Sequence, residues 1–191
     1  ITPRAPMPSS GRWAVDPTGL LQLVSLVEQH RPAVVVELGS GTSTVWLGYA
    51  LEQAGGGRLV SLEHEPAYAE RTRTVIDIHG LDKLVEVRDA PLTPLQLGAD
   101  VSPWYSTDAL VDLQSIGLLV VDGPPGTAGP RARYPAVPVL ADRLADGAIV
   151  VLDDVSRADE TAIVERWCAE TPGLTRTSGI LGDQAIMTYR R

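Results

Sequence analysis

Acidic side chains stand at the ends of successive apolar runs of the sequence, a placement that serves ligand binding or acid–base chemistry. Each run is short and rich in Val, Leu and Ile, which predicts a buried strand of a mostly parallel sheet. The acids that follow these runs are Glu63, Asp89, Asp122 and the pair Asp153–Asp154. Because the carboxyl ends of parallel strands line one crevice, we interpret them as one shared ligand site. The alternative is that each acid only caps the next helix.

A glycine turn precedes these acids in the chain. Val34–Leu38 predicts a buried strand that carries one acid, Glu37, and Gly39-Ser-Gly41 follows it. The two glycines allow a tight turn and a close approach by a ligand, because neither has a Cβ. Residues 42–44 are Thr, Ser and Thr, which are good N-cap types for a helix that begins there.

The turn departs from the dinucleotide-binding pattern G-x-G-x-x-G, since Thr44 stands at the third glycine position. Glu37 lies two residues before Gly39, where its charge would disfavour a pyrophosphate and tolerate a cationic ligand. No G-K-[ST] follows, which excludes a P-loop. Glu63 suits a bidentate grip on ribose hydroxyls in either cofactor class. A nicotinamide-dependent oxidoreductase therefore stays open as the rival interpretation.

Strand and helix patterns alternate five times along the chain, which predicts a doubly wound α/β domain. The first predicted helix begins after Asp16 and ends at His30, and another covers 134–144. Strands near 174–177 and 184–189 predict a C-terminal hairpin across the turn 179–183. Residues 91–114 predict a loop or an irregular helix. We expect an N-terminal arm over 1–12 and a single domain over 13–191.

Composition narrows the class of protein. The net charge of −8 disfavours a nucleic-acid partner, which needs a cationic face. Every apolar run is too short to cross a membrane, and no secretory signal is visible, so a cytoplasmic location is expected. The single Cys168 excludes an internal disulfide and a cysteine-built metal site.

The ordered motifs resemble those of class I S-adenosylmethionine-dependent methyltransferases, and in particular a branch of small bacterial enzymes. The matching segments are Glu37-Leu-Gly-Ser-Gly41, Glu63, Arg88-Asp-Ala90, Asp122-Gly-Pro-Pro-Gly126 and the later Leu152-Asp-Asp154. The resemblance covers about residues 20–190. It implies a Rossmann-like, mostly parallel seven-stranded sheet with an antiparallel C-terminal hairpin strand.

The resemblance also implies roles for individual residues. The methionine part of the cofactor would be surrounded by Glu37, Gly39, Ser40, Gly41 and Ser43, although the two serines could simply cap the helix. Glu63 would accept hydrogen bonds from the ribose. The adenine would lie beside His64, Asp89 and Ala90, and Asp122 would orient the cofactor or the substrate.

Asp122, Asp153 and Asp154 match the acids of metal-dependent O-methyltransferases. Three carboxylates suit Mg²⁺ or another divalent cation, which would orient an acceptor hydroxyl and lower its pKa. Asp122 and Asp154 are then the candidate catalytic residues, with Asp154 able to take the proton. The alternative is that these acids cap a helix and orient ligands without a metal. Pro125 stands where catechol-type relatives have a lysine, which argues against a lysine base.

Three aromatic residues, Trp13, Trp104 and Tyr105, could form a lid over the site or simply pack in the core. Arg131, Arg133 and Tyr134 are expected at the solvated surface, with acceptor contact as the alternative. The prediction is a methyltransferase that acts on an O or N nucleophile of a small molecule. A non-catalytic S-adenosylmethionine-binding regulatory domain is a further alternative, and a homodimer is left open.

Overall fold

A seven-stranded sheet forms the centre of the protein in the computed structural model, which describes residues 1–8, 15–98, 100–177 and 182–191. Its strands are β1 (Val34–Leu38), β2 (Arg58–Glu63), β3 (Val85–Asp89), β6 (Ile116–Val121), β7 (Leu144–Asp153), β8 (Leu174–Arg176) and β9 (Gln184–Tyr189). Two further strands, β4 (Leu92–Leu97) and β5 (Asp100–Tyr105), form a separate hairpin. The strand order is β3-β2-β1-β6-β7-β9-β8. Five strands, β3, β2, β1, β6 and β7, pair in parallel, and β9 runs antiparallel to its neighbours β7 and β8. The predicted fold class is confirmed.

Helices cover both faces of this sheet. They are α1 (Pro17–His30), α2 (Thr42–Ala54), α3 (Pro66–Ile78), α4 (Ala136–Leu140) and α5 (Ala158–Glu170). Helix α1 begins where the sequence predicts, because the Asp16 carboxylate accepts hydrogen bonds from the backbone N–H groups of Thr18 and Gly19. Adjacent side chains of β1 enter opposite cores: Val35 packs in the cluster that includes α1 to α3, and Val36 in the one that includes α4 and α5.

The prediction of a loop or irregular helix over 91–114 is wrong for the two strands of a hairpin, whereas Thr107–Leu110 does form a 3-10 turn. Strands β4 and β5 form an antiparallel hairpin, in which Pro94 lies opposite Pro103. Two prolines lack N–H groups, so they fit a non-hydrogen-bonded pair of a two-stranded ribbon. Trp104 and Tyr105, at the end of the hairpin, are buried in the core. Tertiary packing of these aromatic side chains therefore supports a hairpin in a stretch that has no clear strand pattern.

The remaining predicted elements differ only at their bounds. The helix expected over 134–144 is the short α4, continued by a 3-10 turn, Ala141–Arg143. Strand β7 begins directly after this turn, at Leu144, and continues to Asp153. The C-terminal hairpin is present as β8 and β9, and most of its predicted turn lies outside the described residues.

The N-terminal segment contacts the domain through Arg4. Its guanidinium forms a salt bridge with Glu52 at 2.9 Å, and its backbone N–H donates to the Tyr49 hydroxyl at 2.7 Å. The arm and domain bounds predicted from the sequence stay a prediction. Within the described ranges, no helix is both long enough and apolar enough to span a bilayer.

Candidate active site

The turn after β1 is built around the buried carboxyl group of Glu37. Its Oε1 accepts a hydrogen bond from the Ser43 hydroxyl, and its Oε2 accepts from Thr44 and Ser61, each at 2.6 Å. Glu37 has no exposed surface. Its pKa is raised because the cost of burial outweighs these three donors. A direct contact with a cofactor would require the hydroxyls of α2 to move, and that contact stays a prediction.

Gly39 brings this turn against the end of β6. Its φ of +99° is unfavourable for a residue with a side chain, and an added Cβ would lie 3.1 Å from the Asp122 carbonyl oxygen. An added Cβ at Gly41 would meet nothing within 4 Å, so this side of the turn faces open space. Gly39 is thus needed by the fold, whereas Gly41 leaves room beside the crevice.

Glu63, at the end of β2, is bonded to the glycine turn. Its Oε2 accepts from the backbone N–H of Ser40 at 3.1 Å and from the Ser40 hydroxyl at 3.2 Å. Its Oε1 accepts from the backbone N–H of Glu65 at 3.0 Å. The Ser40 hydroxyl also lies 3.1 Å from that of Thr72 in α3. Two predicted site residues therefore meet at the carboxyl edge of the sheet.

The residues predicted beside an adenine are spread along the same edge. The His64 ring lies edge-on to Tyr105, with centroids 6.2 Å apart, and its Nδ1 is 3.0 Å from Glu63 without hydrogen-bond alignment. Asp89 is exposed and forms a 2.7 Å salt bridge with Arg73. The backbone N–H of Ala90 donates to the Glu63 carbonyl at 2.7 Å, which ties β3 to β2.

Asp122, Asp153 and Asp154 do meet, as their strand-end positions predict. One carboxylate oxygen from each lies within 4.8 Å of the other two. Burial raises the pKa of Asp122 well above its ordinary value, although Arg133 opposes this shift. The pKa of Asp153 is raised to about 6, mainly by burial. We call these three side chains the carboxylate trio.

Arg133 lies within the carboxylate trio, so its prediction as a solvated surface residue is wrong. It is 4% exposed, and its Nη2 lies 3.1 Å from Asp122 Oδ1 and 2.9 Å from Asp154 Oδ2. Arg131 is exposed as predicted. Oxygen donors of this kind suit Mg²⁺, but a guanidinium already bonds two of the three. The trio has the donor atoms that a divalent ion needs, with Arg133 bonded to two of its carboxylates, and binding of an ion there stays a prediction.

Trp104 and Tyr105 pack inside the core, which agrees with the second of their two interpretations and not with a lid over the site. Tyr105 Oη and Trp104 Nε1 are buried and have no hydrogen-bond partner among the described residues. Burial raises the pKa of the Tyr105 hydroxyl well above its ordinary value. That hydroxyl points at Gly123, where a Cβ would collide with it. Trp13, the third proposed lid residue, lies outside the described residues.

The sequence did not indicate two of the residues that complete the site. These are Ser61, which bonds Glu37, and Thr72, which bonds Ser40. Tyr105 and Arg133 were candidates for a lid and an acceptor contact, and the structure places them beside His64 and within the carboxylate trio instead. Ser61 stands in a strand and Thr72 in a helix, where a hydroxyl has no distinctive pattern. The D-G-P-P-G segment could have drawn attention to the arginine that follows it, but not to its burial.

The fold is that of the class I S-adenosylmethionine-dependent methyltransferases. Its marks are the parallel sheet with antiparallel β9, the glycine turn after β1 and the acid at the end of β2. A family model described as a methyltransferase domain matches residues 36–155. The chain belongs to that family.

One relative of similar sequence is also named a methyltransferase. The chain is 36% identical over 101 residues to an arginine Nω-methyltransferase of Streptomyces achromogenes subsp. streptozoticus, a match that covers 50% of this chain and 27% of that enzyme. It therefore spans only about a quarter of that relative.

Two solved structures have a similar fold. An O-methyltransferase from Bacillus cereus, in complex with S-adenosylhomocysteine, has a TM-score of 0.69 at 21% identity, with 97% of this chain and 84% of that chain covered. A Streptomyces achromogenes O-methyltransferase of tomaymycin synthesis, in complex with S-adenosylmethionine, gives 0.67 at 20% identity, with coverage of 94% and 82%. At these identities the likeness concerns the fold alone.

Proposed function

We propose that the protein transfers the methyl group of S-adenosylmethionine to an oxygen or nitrogen nucleophile of a small molecule. The observation that carries this proposal is the Glu63 carboxylate, which is buried at the end of β2 and bonded to Ser40 of the glycine turn. A carboxylate in this position can accept hydrogen bonds from the two hydroxyls of a ribose. The open space beside Gly41 leaves room for the rest of the cofactor.

The charges around the crevice favour a cationic cofactor. Glu37, Glu63 and Asp122 stand at the ends of three neighbouring parallel strands, β1, β2 and β6. A sulfonium and an ammonium group are better accommodated beside these acids than the pyrophosphate of a dinucleotide, because a nearby cation favours the ionised form of acids whose pKa burial raises. Glu37 would act mainly by fixing the turn, because its oxygens already accept three hydroxyl groups.

Methyl transfer is a direct displacement in which the nucleophile attacks the methyl carbon and the sulfur leaves as a neutral thioether. Holding the two reactants in line supplies much of the rate, so the rigid sheet edge is the main catalytic device. Asp122 and Asp154 are the candidate catalytic carboxylates, and Asp154 would take a proton from the acceptor. A divalent ion at the trio, which would activate an acceptor hydroxyl, needs Arg133 to leave its present position.

Calorimetry with S-adenosylhomocysteine, NAD and NADP tests the cofactor. We expect S-adenosylhomocysteine to bind and the dinucleotides not to bind; the reverse order would refute the proposal. Glu63→Ala should weaken S-adenosylhomocysteine binding by about 1–3 kcal/mol, from lost charged hydrogen bonds. Glu65→Ala is the matched control, since it removes a neighbouring exposed acid. Equal affinities of the two variants would remove Glu63 from the site.

Turnover of S-adenosylmethionine with a labelled methyl group tests catalysis. The acceptor panel should contain small phenols, alcohols and amines, together with free arginine, because one relative is named an arginine Nω-methyltransferase. Labelled product identifies the acceptor class. Tight binding of S-adenosylhomocysteine with no turnover of any acceptor would instead favour a cofactor-binding regulatory domain, and that outcome would contradict the catalytic proposal.

A further inference from the structure

The guanidinium of Arg133 is held in place from several sides. Beyond the two carboxylates already described, its Nη1 donates to the Asp153 carbonyl oxygen at 3.0 Å, and its Nε lies 3.5 Å from the Pro124 carbonyl oxygen. The side chain is 5% exposed. A guanidinium that is buried and bonded through all three nitrogens is a fixed part of the site, unlike a surface arginine that rests against an acid.

The charges near Arg133 are arranged so that positive groups lie between negative ones. A second guanidinium, that of Arg157, lies 2.9 Å from Asp154 Oδ2, the same oxygen that Arg133 bonds. Both arginines also stand 3.9 Å from Glu160 Oε1. The trio and Glu160 thus already have two cations beside them. The buried guanidinium of Arg133, together with the more exposed one of Arg157, supplies the positive charge that a divalent ion would otherwise bring to these carboxylates.

Arg133 already bonds one carboxylate oxygen of Asp122 and one of Asp154. Mg²⁺ binds carboxylate oxygens at about 2.0–2.1 Å and Ca²⁺ at about 2.3–2.6 Å. An ion that bonded Asp122 Oδ1 and Asp154 Oδ2 would lie against the Nη2 atom that now bridges them. Two positive charges at such a separation repel strongly in a partly buried site. A metal that uses these two oxygens can therefore enter only after the arginine has left.

We propose that Arg133 is a built-in cation for the carboxylate trio, which excludes divalent metal ions and leaves a latent metal site beneath it. The corollary for catalysis rests on the proposed function: methyl transfer by this protein is independent of divalent ions. Arg133 acts as a positioning residue in this scheme, since it holds Asp122 and Asp154 in place. It leaves the two acids free of any metal when they meet the acceptor.

Mn²⁺ binding, measured by electron paramagnetic resonance on the purified protein, tests the proposal without any substrate. The wild-type protein should bind Mn²⁺ no better than Asp154→Asn does. Arg133→Met, which removes the charge and keeps an unbranched chain, should bind Mn²⁺ at least tenfold more tightly than the wild type. Adding Asp154→Asn to Arg133→Met should abolish that gain. Arg131→Met, at the exposed arginine two residues away, should behave as the wild type.

Two results would overturn the proposal. One is wild-type Mn²⁺ binding that Asp154→Asn removes, because the metal would then occupy the trio with Arg133 present; this measurement does not depend on whether Arg133→Met folds. The other is a folded Arg133→Met protein, checked by circular dichroism, that gains no Mn²⁺ affinity. Failure of S-adenosylhomocysteine binding would refute the proposed function and leave the metal measurements unaffected. Once the acceptor is known, wild-type turnover should be unchanged by EDTA and by added Mg²⁺.

Discussion

Replacement of Glu37 separates a structural role in the turn from direct contact with the cofactor. Glu37→Ala deletes the acceptor of three buried hydroxyls, those of Ser43, Thr44 and Ser61. A buried hydroxyl left without a partner costs about 1–3 kcal/mol. Three such groups at the low end cost about 3 kcal/mol. The lost methylenes add to this, while removal of a carboxyl group whose pKa burial has raised offsets part of it.

A net loss of about 3 kcal/mol corresponds to a fall in Tm of about 6–12 °C for a chain of this size. Glu37→Gln is the matched control, because it keeps the shape and one acceptor oxygen, and hydroxyls can also accept from its amide nitrogen. It should lose about half as much stability. Thermal denaturation followed by circular dichroism gives the Tm, and calorimetry with S-adenosylhomocysteine gives the affinity. A Glu37→Ala protein that melts like the wild type but binds more than tenfold more weakly would refute the structural role.

Two further predictions concern the glycine turn and the carboxylate trio. Gly39→Ala should lower the free energy of unfolding by about 1 kcal/mol more than Gly55→Ala does. Both glycines have φ near +100°, but only Gly39 lies close to the Asp122 carbonyl oxygen. Equal losses of stability in denaturant titrations would show that this contact has no effect. Asp153 has a pKa of about 6 in the folded protein against an ordinary 3.8, so the folded state holds the proton more tightly and its stability falls as pH rises between these values. As the pH rises from about 4 to about 8, the free energy of unfolding of Asp153→Asn should therefore increase relative to that of the wild type by at most about 3 kcal/mol. A difference in stability that stays constant across that range would contradict the raised pKa.

The parts of the fold that sequence patterns predicted are those that local chemistry determines. The start of α1 depends on the Asp16 carboxylate and two nearby N–H groups, all within four residues. Strand β1 depends on a run of valines, and the turn after it on Gly39. The β4–β5 hairpin is different, because its stability comes from Trp104 and Tyr105 packing on distant strands. No local pattern contains that information.

The same distinction applies to the candidate site. That Asp122 and Asp153–Asp154 approach one another follows from topology, since the ends of neighbouring parallel strands share an edge. Topology does not predict that Arg133 is the partner of these acids. Arg133 lies in the irregular stretch between the D-G-P-P-G segment and α4, where charge in the sequence predicts exposure. Only the tertiary fold reveals that its guanidinium turns inward. The sequence therefore predicted carboxylates in need of a cation and missed the cation that the chain itself provides.

Thr44 stands where the dinucleotide-binding pattern has its third glycine, and the structure gives the physical reason for a threonine at this position. Its hydroxyl donates to Glu37 Oε2 at 2.6 Å and accepts from the backbone N–H of Gly41 at 2.9 Å. One side chain thus satisfies a buried acid and closes the glycine turn at the start of α2. A glycine at position 44 could do neither, and Glu37 would lose one of its three donors. Glu37 and Thr44 therefore stabilise the glycine turn together, and the third glycine of the dinucleotide pattern would remove the contacts that Thr44 makes.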